Sequence, residues 1–144
     1  MRATQKLTSL RQLQIRCVTM QLPPAKRVLV VDDHQDLVES FTGILRLFGH
    51  EVETASDGAS AVSLASAQRP EIVFLDIGLP GRNGYEVCAD LRRELGCDVR
   101  IFAVTAYGDL ESRRQAKAAG FDGHFVKPVQ PLALLQEVDL ARVG

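Results

Sequence analysis

No apolar run in this 144-residue chain approaches the roughly 18 residues that a membrane span needs. Tryptophan is absent and aromatic residues make up only 6%. Neither sign of charge dominates: the formal net charge is −1, so there is no global basic signal for nucleic acid. The three cysteines, Cys17, Cys88 and Cys97, are an odd number at spacings that match no metal knuckle. That argues against a disulfide framework and leaves Cys88 and Cys97 as small packing residues. An export signal is also missing, because Arg11, Gln12, Gln14 and Arg16 interrupt any apolar core near the start. The cytoplasm is therefore the expected compartment. There is no internal repeat and no low-complexity segment.

What is present is the composition of one globular domain, with 46% hydrophobic and 24% charged residues. Charge is unevenly placed. Residues 1–31 hold six bases and no acid, and residues 32–144 hold eleven bases against eighteen acids, a net −7. A basic arm thus precedes an acidic body. The expected division is an arm over 1–25 and a domain over 26–144, with Pro23-Pro24 at the boundary. A short helix over Leu7–Ile15 is within reach of the pattern. The arm reads as a mobile tail, with a partner contact or the remnant of an upstream domain as the alternative.

From residue 27 strands and helices alternate. Val28-Leu29-Val30-Val31 and Glu71-Ile72-Val73-Phe74-Leu75 are apolar runs suited to strands covered on both faces. Glu51-Val52-Glu53-Thr54 alternates and reads as an outer strand. Val99–Val104 and Gly123–Val126 are two further strands. Helices are predicted over about 35–48, from Asp57, over 84–95, over 109–119 and over 131–141. In the first, Leu37, Phe41, Ile44, Leu45 and Phe48 form the apolar side, and Gly49 is the cap. Five βα repeats give a parallel sheet with right-handed crossovers. The expected fold is α/β, a flavodoxin-like doubly wound (βα)5 domain with strand order 2-1-3-4-5.

In such a fold ligands bind beyond the C-terminal ends of the strands. Those ends carry Asp32 and Asp33, Asp76, Thr105 and Lys127. Taken singly, each aspartate reads as a solvated loop carboxylate; four converging strand ends reverse that reading. Three neighbouring carboxylates repel unless a cation relieves them, and oxygen-only ligands favour Mg²⁺. A hydroxyl at Thr105 and an ammonium at Lys127 suit the oxygens of a phosphoryl group. One aspartate must then be the nucleophile, and Asp76, alone on the central strand, is the best candidate.

The ordered motifs Val28-Leu29-Val30-Val31-Asp32-Asp33, Leu75-Asp76-Ile77-Gly78-Leu79-Pro80-Gly81, Val104-Thr105-Ala106 and Val126-Lys127-Pro128 closely resemble the receiver domain of two-component response regulators. The resemblance covers about 26–141. It implies that Asp76 accepts a phosphoryl group from a phosphohistidine on a histidine kinase or phosphotransfer protein. It implies that Asp32, Asp33, Asp76 and the Gly78 main-chain carbonyl hold Mg²⁺, that Thr105 swings to the phosphoryl oxygen, and that Lys127 pairs with it. It also implies a small residue beside the phosphate (Ala106), a cis Lys127–Pro128 bond, and output through the fourth helix, fifth strand and fifth helix. The switch position, usually Tyr or Phe, is His124, which puts the usual aromatic-switch account in doubt.

Gly120–Val129 and Asp76–Gly81 look most like receivers of hybrid histidine kinases. Ile15–Pro24 also resembles the closing strand and linker of a kinase ATP-binding domain. The expected function is a single-domain regulator, a phosphoacceptor rather than an enzyme. It would switch contacts with a downstream protein target as a monomer or weak homodimer. The alternative is an isolated receiver of a hybrid kinase. With the sequence ending soon after the fifth helix, no DNA-binding output domain is expected, no nucleic-acid partner and no membrane insertion. Two rivals fit less well. A flavin carrier would meet Asp32-Asp33-His34 where its phosphate belongs. An aspartyl-phosphate phosphohydrolase would want an acid where Gly78 stands.

Overall fold

The computed structural model describes residues 24–140. The expected helix over Leu7–Ile15, the resemblance of Ile15–Pro24 to a kinase segment, and Cys17 lie outside the described residues, Pro24 excepted. Ten elements alternate along the chain: β1 (Arg27–Val31), α1 (Gln35–Leu47), β2 (Glu51–Ala55), α2 (Gly58–Gln68), β3 (Ile72–Asp76), α3 (Gly84–Leu95), β4 (Arg100–Thr105), α4 (Leu110–Ala119), β5 (Gly123–Val126) and α5 (Pro131–Leu140). The five strands form one parallel sheet in the order β2-β1-β3-β4-β5. This is the expected flavodoxin-like topology, with its switch point between β1 and β3.

Alternation along each strand divides the core into two layers. Leu29, Val31, Val73, Leu75, Ile101 and Ala103 meet Ala61, Ala65, Val87, Leu91 and Ala116, from α2, α3 and α4. Val28, Val30, Ile72, Phe74, Phe102 and Val104 meet Val38, Phe41, Leu45, Leu134 and Val138, from α1 and α5. Full burial of each valine, leucine, isoleucine or phenylalanine among them is worth about 1.5–3 kcal/mol. Phe74 and Phe102, paired in register, stack at 5.8 Å between ring centroids.

Local signals set most boundaries. Asp57 accepts a 2.8 Å hydrogen bond from the Ser60 N–H and caps α2. Asn83 and Asp109 do the same for α3 and α4. Gly49, at φ +91°, follows the end of α1. The apolar stripe of α1 departs slightly from expectation. Val38, Phe41, Thr42 and Leu45 are buried, whereas Leu37, Ile44 and Phe48 flank them. The buried set follows the i, i+3, i+4, i+7 spacing of one helix face. Cys88 is a packing residue as expected, and burial pushes its thiol up to about 11. Cys97 is not: it is exposed in the loop that follows α3. No helix among the described residues is long and apolar enough to cross a membrane.

Candidate functional site

Because all five strands run in one direction, their C-terminal ends share one edge of the sheet. Asp32 follows β1, Asp76 ends β3, Thr105 ends β4 and Lys127 follows β5. Buried apolar residues precede each of the first three, so each polar group is carried on a fixed strand. Asp32, Asp76 and Thr105 are themselves buried, at 3%, 4% and 3% exposure, and Asp33 is exposed. Buried polar groups of this kind need partners.

For Asp32 and Asp76 the shared partner is the Lys127 ammonium. Lys127 Nζ lies 3.1 Å from Asp32 Oδ2 and 3.2 Å from Asp76 Oδ2. The Gly78 N–H donates a 2.9 Å hydrogen bond to Asp76 Oδ1, folding the β3–α3 loop back onto the carboxylate. The ligand atoms of Asp32, Asp33, His34 and Asp76 all fall within 4.8 Å of one another. Asp32 Oδ2 has the Lys127 ammonium as a charge partner but receives no aligned hydrogen bond. Crowded, dehydrated carboxylates of this kind fit a hard divalent cation.

Electrostatics follow from this crowding. Burial raises the pKa of Asp76 above its ordinary value, and the charge on Asp32 raises it further. The Gly78 N–H and Lys127 oppose the rise. Burial alone would lower the pKa of Lys127. Asp32 and Asp76 more than offset this, and the ammonium is held above its usual range. Lys127 thereby supplies positive charge to the cluster.

Thr105 finds its hydrogen bond outside that cluster. Its Oγ1 accepts a 3.0 Å hydrogen bond from the Tyr107 N–H. His124 pairs with Ala103 in the β4–β5 register, and its Nε2 is buried without a hydrogen-bond partner. Burial, then the nearby Arg113, lowers its pKa. The Lys127–Pro128 bond is cis, as the family resemblance implies.

Two contributors escaped the sequence reading. In the sequence His34 stands out only as an obstacle to flavin phosphate. Its Nδ1 lies 2.9 Å from Asp32 Oδ1 and 3.4 Å from both Asp33 Oδ1 and Lys127 Nζ. Position alone, beside Asp32-Asp33, was the available signal. Gly84 is the other. A Cβ there would lie 2.5 Å from Ile77 Cα and 2.9 Å from the Asp76 carbonyl oxygen. The start of α3 therefore presses directly on the backbone that carries Asp76, and only glycine fits.

A family model described as the response regulator receiver domain matches residues 28–139. A "probable transcriptional regulator ycf27" from Guillardia theta is 37% identical over 119 residues, which is 83% of this chain and 46% of that protein. The chain thus spans about half the length of such relatives. The structure of chemotaxis protein CheY4 from Vibrio cholerae superposes with a TM-score of 0.76 at 30% identity, covering 81% of this chain and 98% of that one. A response regulator from Burkholderia pseudomallei, described with a phosphorylated aspartic acid, calcium ion and citrate, gives 0.71 at 27% identity, covering 81% and 72%.

Proposed function

The chain belongs to the response regulator receiver domain family, and from that premise we propose that Asp76 is its phosphoacceptor. One observation carries this reading: a buried carboxylate whose Oδ2 is ion-paired to Lys127 at 3.2 Å, within a cluster suited to a divalent cation. An Asp76 carboxylate oxygen would attack the phosphorus of a phosphohistidine. The P–O bond forms as the P–N bond breaks, and the imidazole leaves toward its own protein.

Each remaining residue has a defined part. Asp32, Asp33, Asp76 and the Gly78 carbonyl would hold Mg²⁺, whose charge offsets that of the phosphoryl oxygens. Lys127 would bond a phosphoryl oxygen through the ammonium it now gives to Asp32 and Asp76. The Thr105 hydroxyl would leave the Tyr107 N–H for another phosphoryl oxygen. That motion opens space beside β5 and lets His124 move, biasing the surface of α4, β5 and α5. The protein is then a phosphoacceptor that assists its own phosphorylation and dephosphorylation, not a turnover enzyme.

The donor is a histidine kinase or histidine phosphotransfer protein in the cytoplasm, and the output is contact with a downstream protein. The domain itself binds no nucleic acid in this reading; its relatives' role in transcription is a property of proteins about twice its length. A receiver module of a hybrid histidine kinase is a second reading, favoured by the pattern of Gly120–Val129. Borohydride reduction of the phosphorylated protein tests the central assignment. An acyl phosphate at Asp76 is reduced to homoserine at that position in the peptide map. Reduction at any other aspartate would contradict it.

A further inference from the structure

His34 occupies the N-terminal cap position of α1 but makes no capping hydrogen bond with its side chain. Its ring is instead held at the mouth of the acidic cluster, where an open cleft of about 580 Å³ is lined by His34, Gln35, Asp36, Leu37, Lys127 and Pro128. The backbone N–H of His34 and its Nδ1 both lie 2.9 Å from Asp32 Oδ1. Neither core packing nor capping accounts for an imidazole in that place, since the ring is 66% exposed.

The separations are informative. Ligands bonded to one metal at about 2.1 Å stand roughly 3.0 Å apart at right angles and roughly 3.4 Å apart in a tetrahedron. Nδ1 is 2.9 Å from Asp32 Oδ1 and 3.4 Å from Asp33 Oδ1. Both are edge lengths of a coordination shell. Asp32 is nine-tenths buried, and its Oδ2 is aimed into the same cluster without an aligned hydrogen bond. Imidazole nitrogen does little for Mg²⁺ but favours the later first-row divalent ions.

We propose that His34 Nδ1 is a direct metal ligand that turns this receiver site toward a first-row transition-metal dication such as Co²⁺ or Zn²⁺ in preference to Mg²⁺. The neutral ring then carries its proton on Nε2, and the metal takes the place of the present 2.9 Å contact between Nδ1 and Asp32 Oδ1. The Lys127 ammonium, 3.4 Å from Nδ1, withdraws along its flexible stem as the ion enters. This inference rests on the metal role assigned above to Asp32 and Asp33.

The test is Co²⁺ titration followed by Mg²⁺ displacement, read from the d–d absorption of the bound ion. Unmodified protein should retain Co²⁺ against Mg²⁺, and His34→Gln should lower that preference about tenfold while shifting the absorption bands. A Cys97→Ser control should leave both unchanged. His34→Gln titrating like the unmodified protein would overturn the proposal, as would a loss of preference in Cys97→Ser. Mg²⁺-dependent phosphorylation of Asp76 by acetyl phosphate is measured in parallel in the unmodified protein, His34→Gln and Cys97→Ser. Its absence in every protein, beside a changed Co²⁺ preference, would count against the phosphoacceptor reading alone.

Discussion

Lys127 Nζ is ion-paired to Asp76 Oδ2 at 3.2 Å, although β4 lies between the strands that carry the two residues. The pair closes a bridge over the end of β4, with Asp32 as its third member. Lys127→Ala leaves Asp32 and Asp76 buried without their counter-charge. Thermal or denaturant unfolding at pH 7 should show a loss of about 3 kcal/mol. Added Mg²⁺ should recover part of it, and an unchanged midpoint would contradict the bridge.

Asp76 gives the apo protein a characteristic pH dependence. Its folded pKa is raised above the ordinary 3.8, so the native state binds this proton more tightly than the unfolded chain. The contribution is fully present below pH 3.8 and is lost as pH rises through the folded value. Asp76→Asn removes that loss. In chelator-treated buffer its melting temperature should exceed that of the unmodified protein at pH 7, with the gap closing towards pH 3.8.

Gly84→Val places a side chain where the Ile77 backbone already stands, 2.5 Å from the new Cβ. Overpacking of this kind costs about 1–3 kcal/mol. Since α3 presses on the Asp76–Ile77 peptide, phosphorylation should slow as well. A fully stable, fully active variant would show that the contact is readily relieved.

Much of this architecture was legible because strand runs and caps agree with the fold. The Val28–Val31 and Ile72–Leu75 runs marked the central strands, and Asp57 marked a helix start that the structure repeats. The strand-end residues Asp32, Asp76 and Lys127 came together as expected. His34 and Gly84 were not legible in the same way. The ring of His34 acquires its meaning only from distances to Asp32 and Asp33, and Gly84 from a backbone seven residues earlier. Cys97 was misplaced because burial depends on where a loop turns outward, which no local residue type specifies.

Deleting residues 1–24 should leave both fold and phosphorylation intact. The apolar core runs from Val28 to Val138, and the Lys26 N–H that donates to the buried His50 Nδ1 at 3.1 Å is retained. Circular dichroism melts and phosphoryl uptake check this. A large fall in melting temperature would show that the arm packs on the domain.

The most direct measurement is intact mass after incubation with acetyl phosphate, with and without Mg²⁺, beside Asp76→Asn. The proposed chemistry predicts a gain of one phosphoryl group that requires Mg²⁺ and is absent in the variant. Equal incorporation into folded Asp76→Asn would contradict it.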